Sequence, residues 1–274
     1  MRNVQSRIIA EMGVRPTIDP AREVERRVSF LVEYVLTTHM RGFVLGISGG
    51  LDSTLAGRLA QLAVDRLRRD GVEADFLAVR LPYGTQADSD DARVAMEFVA
   101  ARTPVTLNIA GGVDGLEEGF ETALGRDISD FNKGNVKARM RMVAQYALAG
   151  ERNLLVIGTD HGAESVTGFF TKYGDGGADI LPLFGLNKRQ NRQILQHLGA
   201  SEQLWGKTPT ADLLDGSPGR TDEDELGMTY DEIDDYLEGR MVPDAVAEEI
   251  ETKYLRTRHK RTMPVTILED WWRD

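Results

Sequence analysis

The chain has no cysteine among its 274 residues. That excludes disulfides, thiolate metal centres and any mechanism built on a cysteine nucleophile or persulfide. Long apolar runs are missing as well: none approaches the roughly 20 residues a membrane helix needs. The opening Met1-Arg2-Asn3-Val4-Gln5 leads into no signal-type apolar core, so a cytoplasmic location without a membrane partner is expected. Positive charge is in deficit, with 33 Lys and Arg against 44 Asp and Glu for a net charge of −11. Eight acidic residues and no basic one lie between Asp222 and Asp235, so that stretch alone accounts for −8 of the −11 and leaves −3. Such a run reads as a solvated acidic loop and helix face. The balance argues against a nucleic-acid partner. No internal repeat and no low-complexity segment is present.

What the chain does have is an ordinary globular composition, 41% apolar and 28% charged, with length enough for a sizeable core. It also has one stretch of unusual density. Gly46-Ile47-Ser48-Gly49-Gly50-Leu51-Asp52-Ser53-Thr54 follows the apolar run Phe43-Val44-Leu45 and leads into Leu55-Ala56-Gly57-Arg58-Leu59-Ala60. A strand passing through glycines into a helix start exposes backbone N–H groups at the positive end of the helix dipole, which is an anion site. Gly49 and Gly50 allow a tight bend, and Ser48, Ser53 and Thr54 add hydroxyl donors. No Gly-Lys-Ser/Thr follows, so this is not the common ATPase phosphate loop. Asp52 would repel a phosphate unless a cation lay between them, which points to Mg²⁺.

The remaining chain alternates. Asp19-Pro20 reads as an N-cap followed by proline at the first helical position, and Val24, Val28, Leu31, Val32, Val35 and Leu36 recur at helical spacing. Strands are expected at Phe76–Leu81, Pro104–Ile109 and Leu154–Ile157. Helices are expected after Asp88-Ser89-Asp90 and over roughly 136–148, the latter with Val136, Met140, Val143 and Ala147 on one face. Near-continuous apolar strands alternating with helices predict an α/β fold, a parallel sheet flanked by helices on both faces. In such sheets ligands bind beyond the carboxyl ends of the strands. The glycine loop lies there, as do residues 80–86 and Thr159-Asp160-His161. Thr167 to Gly185 is glycine-rich without regular period, which marks a functional loop. Trp205 to Asp224 reads as a mobile loop, and Lys188–Leu198, Asp231–Leu237 and Asp244–Arg256 read as helices. Lys188 and Arg189 are oddly placed at a helix start, where the dipole disfavours cations, and a bound polyphosphate would remove the conflict. Glu164 offers a carboxylate that could share a cation with Asp52.

The loop residues Gly46–Ser53 resemble the pyrophosphatase-type loop of the ATP pyrophosphatase superfamily. Together with Lys137-Ala138-Arg139, Gly158-Thr159-Asp160-His161, Thr167–Asp179, Leu186-Asn187-Lys188-Arg189-Gln190, Pro209-Thr210-Ala211-Asp212 and His259-Lys260-Arg261, they make the chain similar to the ammonia-dependent NAD synthetases. The likeness runs from about Arg26 to Trp272. The run Gly168-Phe169-Phe170-Thr171-Lys172-Tyr173-Gly174-Asp175-Gly176-Gly177 is its most specific part. The resemblance implies a Rossmann-like fold of the adenine nucleotide alpha hydrolase type and a single domain over residues 1–274. It implies that Gly46, Ile47, Ser48, Gly49, Gly50, Leu51, Asp52, Ser53, Thr159, Lys188 and Thr210 contact ATP, and that Asp52 and Glu164 hold Mg²⁺. It implies that Phe131, Asn132, Arg139, Lys172, Asp179, His259 and Lys260 contact deamido-NAD. A homodimer with the dinucleotide near the subunit interface follows from the same likeness.

The reaction so implied uses ATP, deamido-NAD and ammonia. The nicotinate carboxylate attacks the α-phosphorus, and ammonia then displaces AMP from the acyl-adenylate. Mg²⁺ on Asp52 and Glu164, the loop amides and Lys188 would hold the departing pyrophosphate, and Asp175 is the candidate to bind ammonium and accept its proton. Two rivals stand beside this reading. Another synthetase or a tRNA thiolase of the superfamily is disfavoured by the lack of cysteine, the acidic balance and the absence of a glutaminase segment. A non-catalytic nucleotide sensor would have no need of two carboxylates around one cation.

Overall fold

The computed structural model describes residues 2–84, 89–210, 213, 215–216 and 219–273, apart from the side chain of Ser89. Helices α1 (Asn3–Met12) and α2 (Pro20–Thr38) precede β1 (Gly42–Gly46), and α3 (Leu51–Arg69) follows it directly. Next come β2 (Asp75–Arg80), α4 (Ser89–Val99), β3 (Thr103–Thr106), α5 (Ala110–Leu124), α6 (Asp130–Arg152) and β4 (Leu155–Val156). The rest is helical: α7 (Gly162–Thr167), α8 (Lys188–His197), α9 (Glu202–Trp205), α10 (Asp222–Leu226), α11 (Tyr230–Leu237), α12 (Asp244–Arg256) and α13 (Arg258–Arg261). None of the described helices is long and apolar enough to cross a membrane.

The four strands form one parallel sheet in the order β3-β2-β1-β4. Side chains alternate across it, as the two-residue period of a strand requires. Phe43, Leu45, Phe76 and Ala78 face a layer that holds Leu31 and Val35 of α2, Leu55 and Leu59 of α3, and Ile194 of α8. Val44, Leu77 and Val79 face the opposite layer, with Val113 of α5 and Ala144 of α6. Each fully buried large side chain, Phe43 and Phe76 among them, stabilises the fold by about 1.5–3 kcal/mol. A third cluster joins the two ends of the chain, packing Ile8 and Met12 of α1 with Val166 of α7, Ile233 and Tyr236 of α11, and Ile250 of α12.

The expected α/β alternation and the two-sided sheet are present, with three differences. The edge strand β3 is shorter than expected, and its residues alternate between half-buried and exposed, so it is not buried on both faces. Helix α6 runs well beyond 136–148, and its expected inner face is wrong in part. Val143 and Ala147 are exposed, and the buried positions are Gly134, Lys137, Ala138, Ala144 and Ala149. Helix α5 was not signalled, because Gly111, Gly112, Gly115 and Gly119 lower its intrinsic propensity; it buries Val113 and leans on α6. The proposed cap Asp88, the motif positions Ala211 and Asp212, and several residues of the 205–224 stretch lie outside the described residues. Of that stretch, Thr210 bridges Thr221 and Asp222 opens α10.

Candidate active site

At the carboxyl end of β1 the chain turns through Ser48-Gly49-Gly50 into α3. Gly49 has φ +92°, and a Cβ there would come within 2.7 Å of the Ala92 backbone nitrogen. Only glycine permits both the dihedral and this approach to α4. Hydroxyls fix the bend. Ser48 Oγ accepts from Gly50 N at 3.2 Å and lies 3.1 Å from Ser53 Oγ, while Thr54 Oγ1 donates to Gly50 O at 2.7 Å. No described side chain caps α3, so its first turn is open to an anion. The Gln145 side chain of α6 supports the loop from behind, accepting from Gly46 N at 2.7 Å.

Opposite the loop, three charged side chains meet. Lys188 Nζ lies 2.6 Å from Asp52 Oδ2 and 3.3 Å from Glu164 Oε1, and it sits 4.5 Å from the centre of the Tyr230 ring. Asn191, one turn along α8, donates to Asp52 Oδ1 at 2.9 Å. Burial opposes the Lys188 charge, but Asp52 and Glu164 outweigh it and hold the ammonium well above its ordinary value. Burial likewise opposes the Asp52 carboxylate, and Lys188 and His161 outweigh it and keep its pKa below the usual range. Lys188, at a helix start, thus has charge partners in Asp52 and Glu164. The helix dipole is met separately: Asp234 accepts from Lys188 N and Arg189 N, and Arg189 pairs with Asp231, Asp235 and Glu238. The acidic run is thus only partly a solvated face, since Asp222 and Asp234 are buried.

His161 caps α7. Its Nδ1 accepts from Ala163 N at 3.3 Å, which leaves the proton on Nε2, pointed at Glu164 Oε1 (3.3 Å) and Asp52 Oδ1 (3.6 Å). Asp52, His161 and Glu164 have ligand atoms within 4.8 Å of one another, but a protonated Nε2 cannot ligate. The usable donors are two carboxylates, and an oxygen-only pair suits a hard cation such as Mg²⁺.

Asp52, Glu164 and Lys188 line one cleft of about 310 Å³ with the loop. Of the residues expected at ATP, Gly46, Ile47, Ser48, Gly50, Leu51, Asp52, Ser53, Thr159, Lys188 and Thr210 line it; Gly49 instead turns toward α4. Glu164 and Asp175 line it too. Asp175 is exposed there, its carboxylate accepting from Thr171 N at 2.9 Å; desolvation by the atoms crowded around the carboxylate, with the charge of Glu164, pushes its pKa up to about 6 although the residue keeps accessible surface. Asp160 beside it is buried, and burial, reinforced by Glu164, Asp175 and Asp52, holds its carboxyl well above the usual range.

The residues expected at deamido-NAD lie outside this cleft. Arg139, Lys172, His259 and Lys260 gather around the glycine-rich loop. Arg139 donates to Lys172 O at 3.3 Å, Lys172 donates to His259 O, and Lys260 Nζ reaches Gly168 O at 2.9 Å and Phe170 O at 2.8 Å. Asp179 accepts from Val156 N and Tyr146 Oη, at 2.7 and 3.1 Å. Phe131 and Asn132 are exposed in the first turn of α6. Sequence reasoning set His161 at the same strand ends as the loop, but missed Gln145, Asn191 and Tyr230 as neighbours of the loop and its carboxylates. Only Asn191 had a signal: it sits three residues after Lys188, on the same helix face.

A profile of the NAD synthase family matches residues 23–264. The NH(3)-dependent NAD(+) synthetase of Leifsonia xyli is 61% identical over 272 residues, covering 99% of this chain and 98% of the relative. Among solved structures, NAD+ synthetase from Burkholderia pseudomallei superposes with TM-score 0.82 at 51% identity, over 95% of this chain and 96% of that one. NMN synthetase from Francisella tularensis superposes with TM-score 0.80 at 34% identity, over 91% and 99% of the two chains.

Proposed function

The chain belongs to the NAD synthase family, and from that premise we infer that it catalyses the ATP-dependent amidation of deamido-NAD with ammonia, a C–N ligation that yields NAD, AMP and pyrophosphate. One observation carries this reading: an anion loop, a two-carboxylate cation site and a raised carboxyl share a single cleft. A sensor needs the first alone. The enzyme acts as a single domain over residues 1–274.

In the first step a nicotinate carboxylate oxygen bonds to the α-phosphorus of ATP, and the bond to the β,γ-pyrophosphate breaks. The loop amides and hydroxyls of Ser48–Ser53, with Thr159 and Thr210, orient the triphosphate, and Lys188 supplies positive charge where the leaving group develops negative charge. Asp52 and Glu164 would hold Mg²⁺, which when bound neutralises phosphate charge. Arg139, Lys172 and Lys260 contribute positive charge beside the cleft for the deamido-NAD phosphates, with His259, Phe131, Asn132 and Asp179 placed along the same substrate. In the second step ammonia bonds to the acyl carbon, AMP departs with the C–O electron pair, and one N–H proton passes to Asp175. With a pKa near 6 that carboxylate is ionised at neutral pH and basic enough to take the proton.

Leu116 and Leu124 of α5 and Phe131 and Val143 of α6 are large apolar side chains left exposed, and a second copy of the chain would cover them in a homodimer. The acyl-adenylate is tested with deamido-NAD labelled with heavy oxygen in its carboxylate. One labelled oxygen should appear in AMP; unlabelled AMP would rule out attack by the carboxylate.

A further inference from the structure

The acidic stretch that dominates the chain's net charge has a role that its surface segments do not explain. Helix α11 presents Tyr230 and Asp234 four residues apart, hence on one face. Both are buried, Asp234 almost completely. The Asp234 carboxylate accepts from Lys188 N at 3.2 Å with one oxygen and from Arg189 N at 2.7 Å with the other. The Tyr230 ring lies under the far end of the same lysine, its centroid 4.5 Å from Nζ. Tyr230 is itself pinned: its hydroxyl donates to Asp222 at 3.1 Å and its N–H to Glu223 at 2.8 Å. Asp231, Asp235 and Glu238 hold the neighbouring Arg189 from the same helix and its cap.

We propose that Tyr230 and Asp234 are positioning residues for Lys188, gripping its backbone and its ammonium group so that the ammonium stays in the cleft. A lysine side chain has four rotatable bonds and loses much freedom when fixed. Asp52 and Glu164 attract it but do not set where its backbone lies. A bidentate carboxylate at the first two amides of α8 fixes the start of the helix, and the aromatic face restricts the ammonium without neutralising it. The amide of Asn at position 234 would turn N–H donors toward one of two N–H donors, so D234N loses one hydrogen bond and adds a repulsion. Leu at 230 removes the ring face. The inference rests on Lys188 contacting ATP.

The test is a double-mutant cycle on ATP affinity, which needs no turnover. Titration calorimetry with Mg-ATP would compare the wild type, K188M, D234N and K188M/D234N, with melting curves run in parallel. We expect D234N to weaken ATP binding about 5- to 20-fold in the wild-type background and less than about twofold in the K188M background. Equal weakening in both backgrounds would show an effect that does not pass through Lys188 and overturns the proposal. So would unchanged affinity in D234N with only a lowered melting temperature. If K188M alone leaves ATP affinity unchanged, the ATP role of Lys188 fails, a result separate from either of those. Should D234N not fold, Y230L takes its place in the same cycle with the same expected and overturning results.

Discussion

Replacing Lys188 with methionine removes the one ammonium that lies between Asp52 and Glu164 and keeps the volume of the side chain. Its Nζ is 2.6 Å from one carboxylate and 3.3 Å from the other, and only 3% of the side chain is exposed. At an effective dielectric constant of about 20 these contacts are worth on the order of 5–6 kcal/mol each. Most of that offsets the cost of burying the charge, so the net loss on breaking such a group is about 3–5 kcal/mol. Two features favour the lower end. The carboxylates are 14% and 15% exposed, on the cleft side, and His161 Nε2 remains 3.3 and 3.6 Å from them. K188M should therefore lose about 3 kcal/mol in denaturant unfolding without divalent cation, and remain folded. Magnesium should recover more stability in K188M than in the wild type, because the competing ammonium is gone; binding at a hundredfold excess over Kd gives about 2.7 kcal/mol. Wild-type stability in K188M, together with no response to magnesium, would refute the reasoning that Asp52 and Glu164 form a cation site shared with Lys188.

Three further outcomes are expected. G49A forces a side chain onto φ +92° and within 2.7 Å of the Ala92 nitrogen; it should cost at least about 2 kcal/mol, lower the melting temperature by several degrees and weaken ATP binding, all read by thermal melts with and without nucleotide. D175N should slow the ammonia step about 100- to 10,000-fold while ATP and deamido-NAD still bind. In the wild type that step should gain rate as pH rises through about 6, where Asp175 loses its proton, and unchanged amidation in D175N would remove Asp175 from the mechanism. Burial pushes the Asp234 carboxyl from 3.8 to about 6. The unfolded chain therefore ionises first, and the pH-dependent part of this residue's contribution, about 3 kcal/mol at most, is full below about pH 4 and lost as pH rises through about 6. The stability deficit of D234N should then be larger at pH 4.5 than at pH 7.5 in urea melts.

The strand–loop–helix around Gly46–Ser53 was legible because its signals are local: an apolar run, two glycines, then hydroxyls at a helix start. The alternation of strands and helices was legible for the same reason. Helix α5 was not, since its four glycines obscure a helix held by packing on α6. The site's charge pairing was not legible either. Lys188 reaches Asp52 across 136 positions and Glu164 across 24, and nothing in the sequence near Lys188 names those partners. The acidic run looked like solvated surface because most of it is; the exceptions, Asp222 and Asp234, are distinguished only by what packs over them. The deamido-NAD roles of Asp179, His259 and Lys260 were reached through resemblance alone, and in the fold these residues, with Lys172, do not line the cleft.

The most direct test of the account is NAD formation by the purified protein with Mg-ATP, ammonium and deamido-NAD, run beside glutamine in place of ammonium. A parallel reaction would offer the deamidated mononucleotide in place of the dinucleotide, since one structural relative is an NMN synthetase. NAD should form from ammonium and deamido-NAD, with AMP and pyrophosphate in equal amounts and little product from glutamine. Pyrophosphate release with another carboxylic acid, and no NAD, would contradict it.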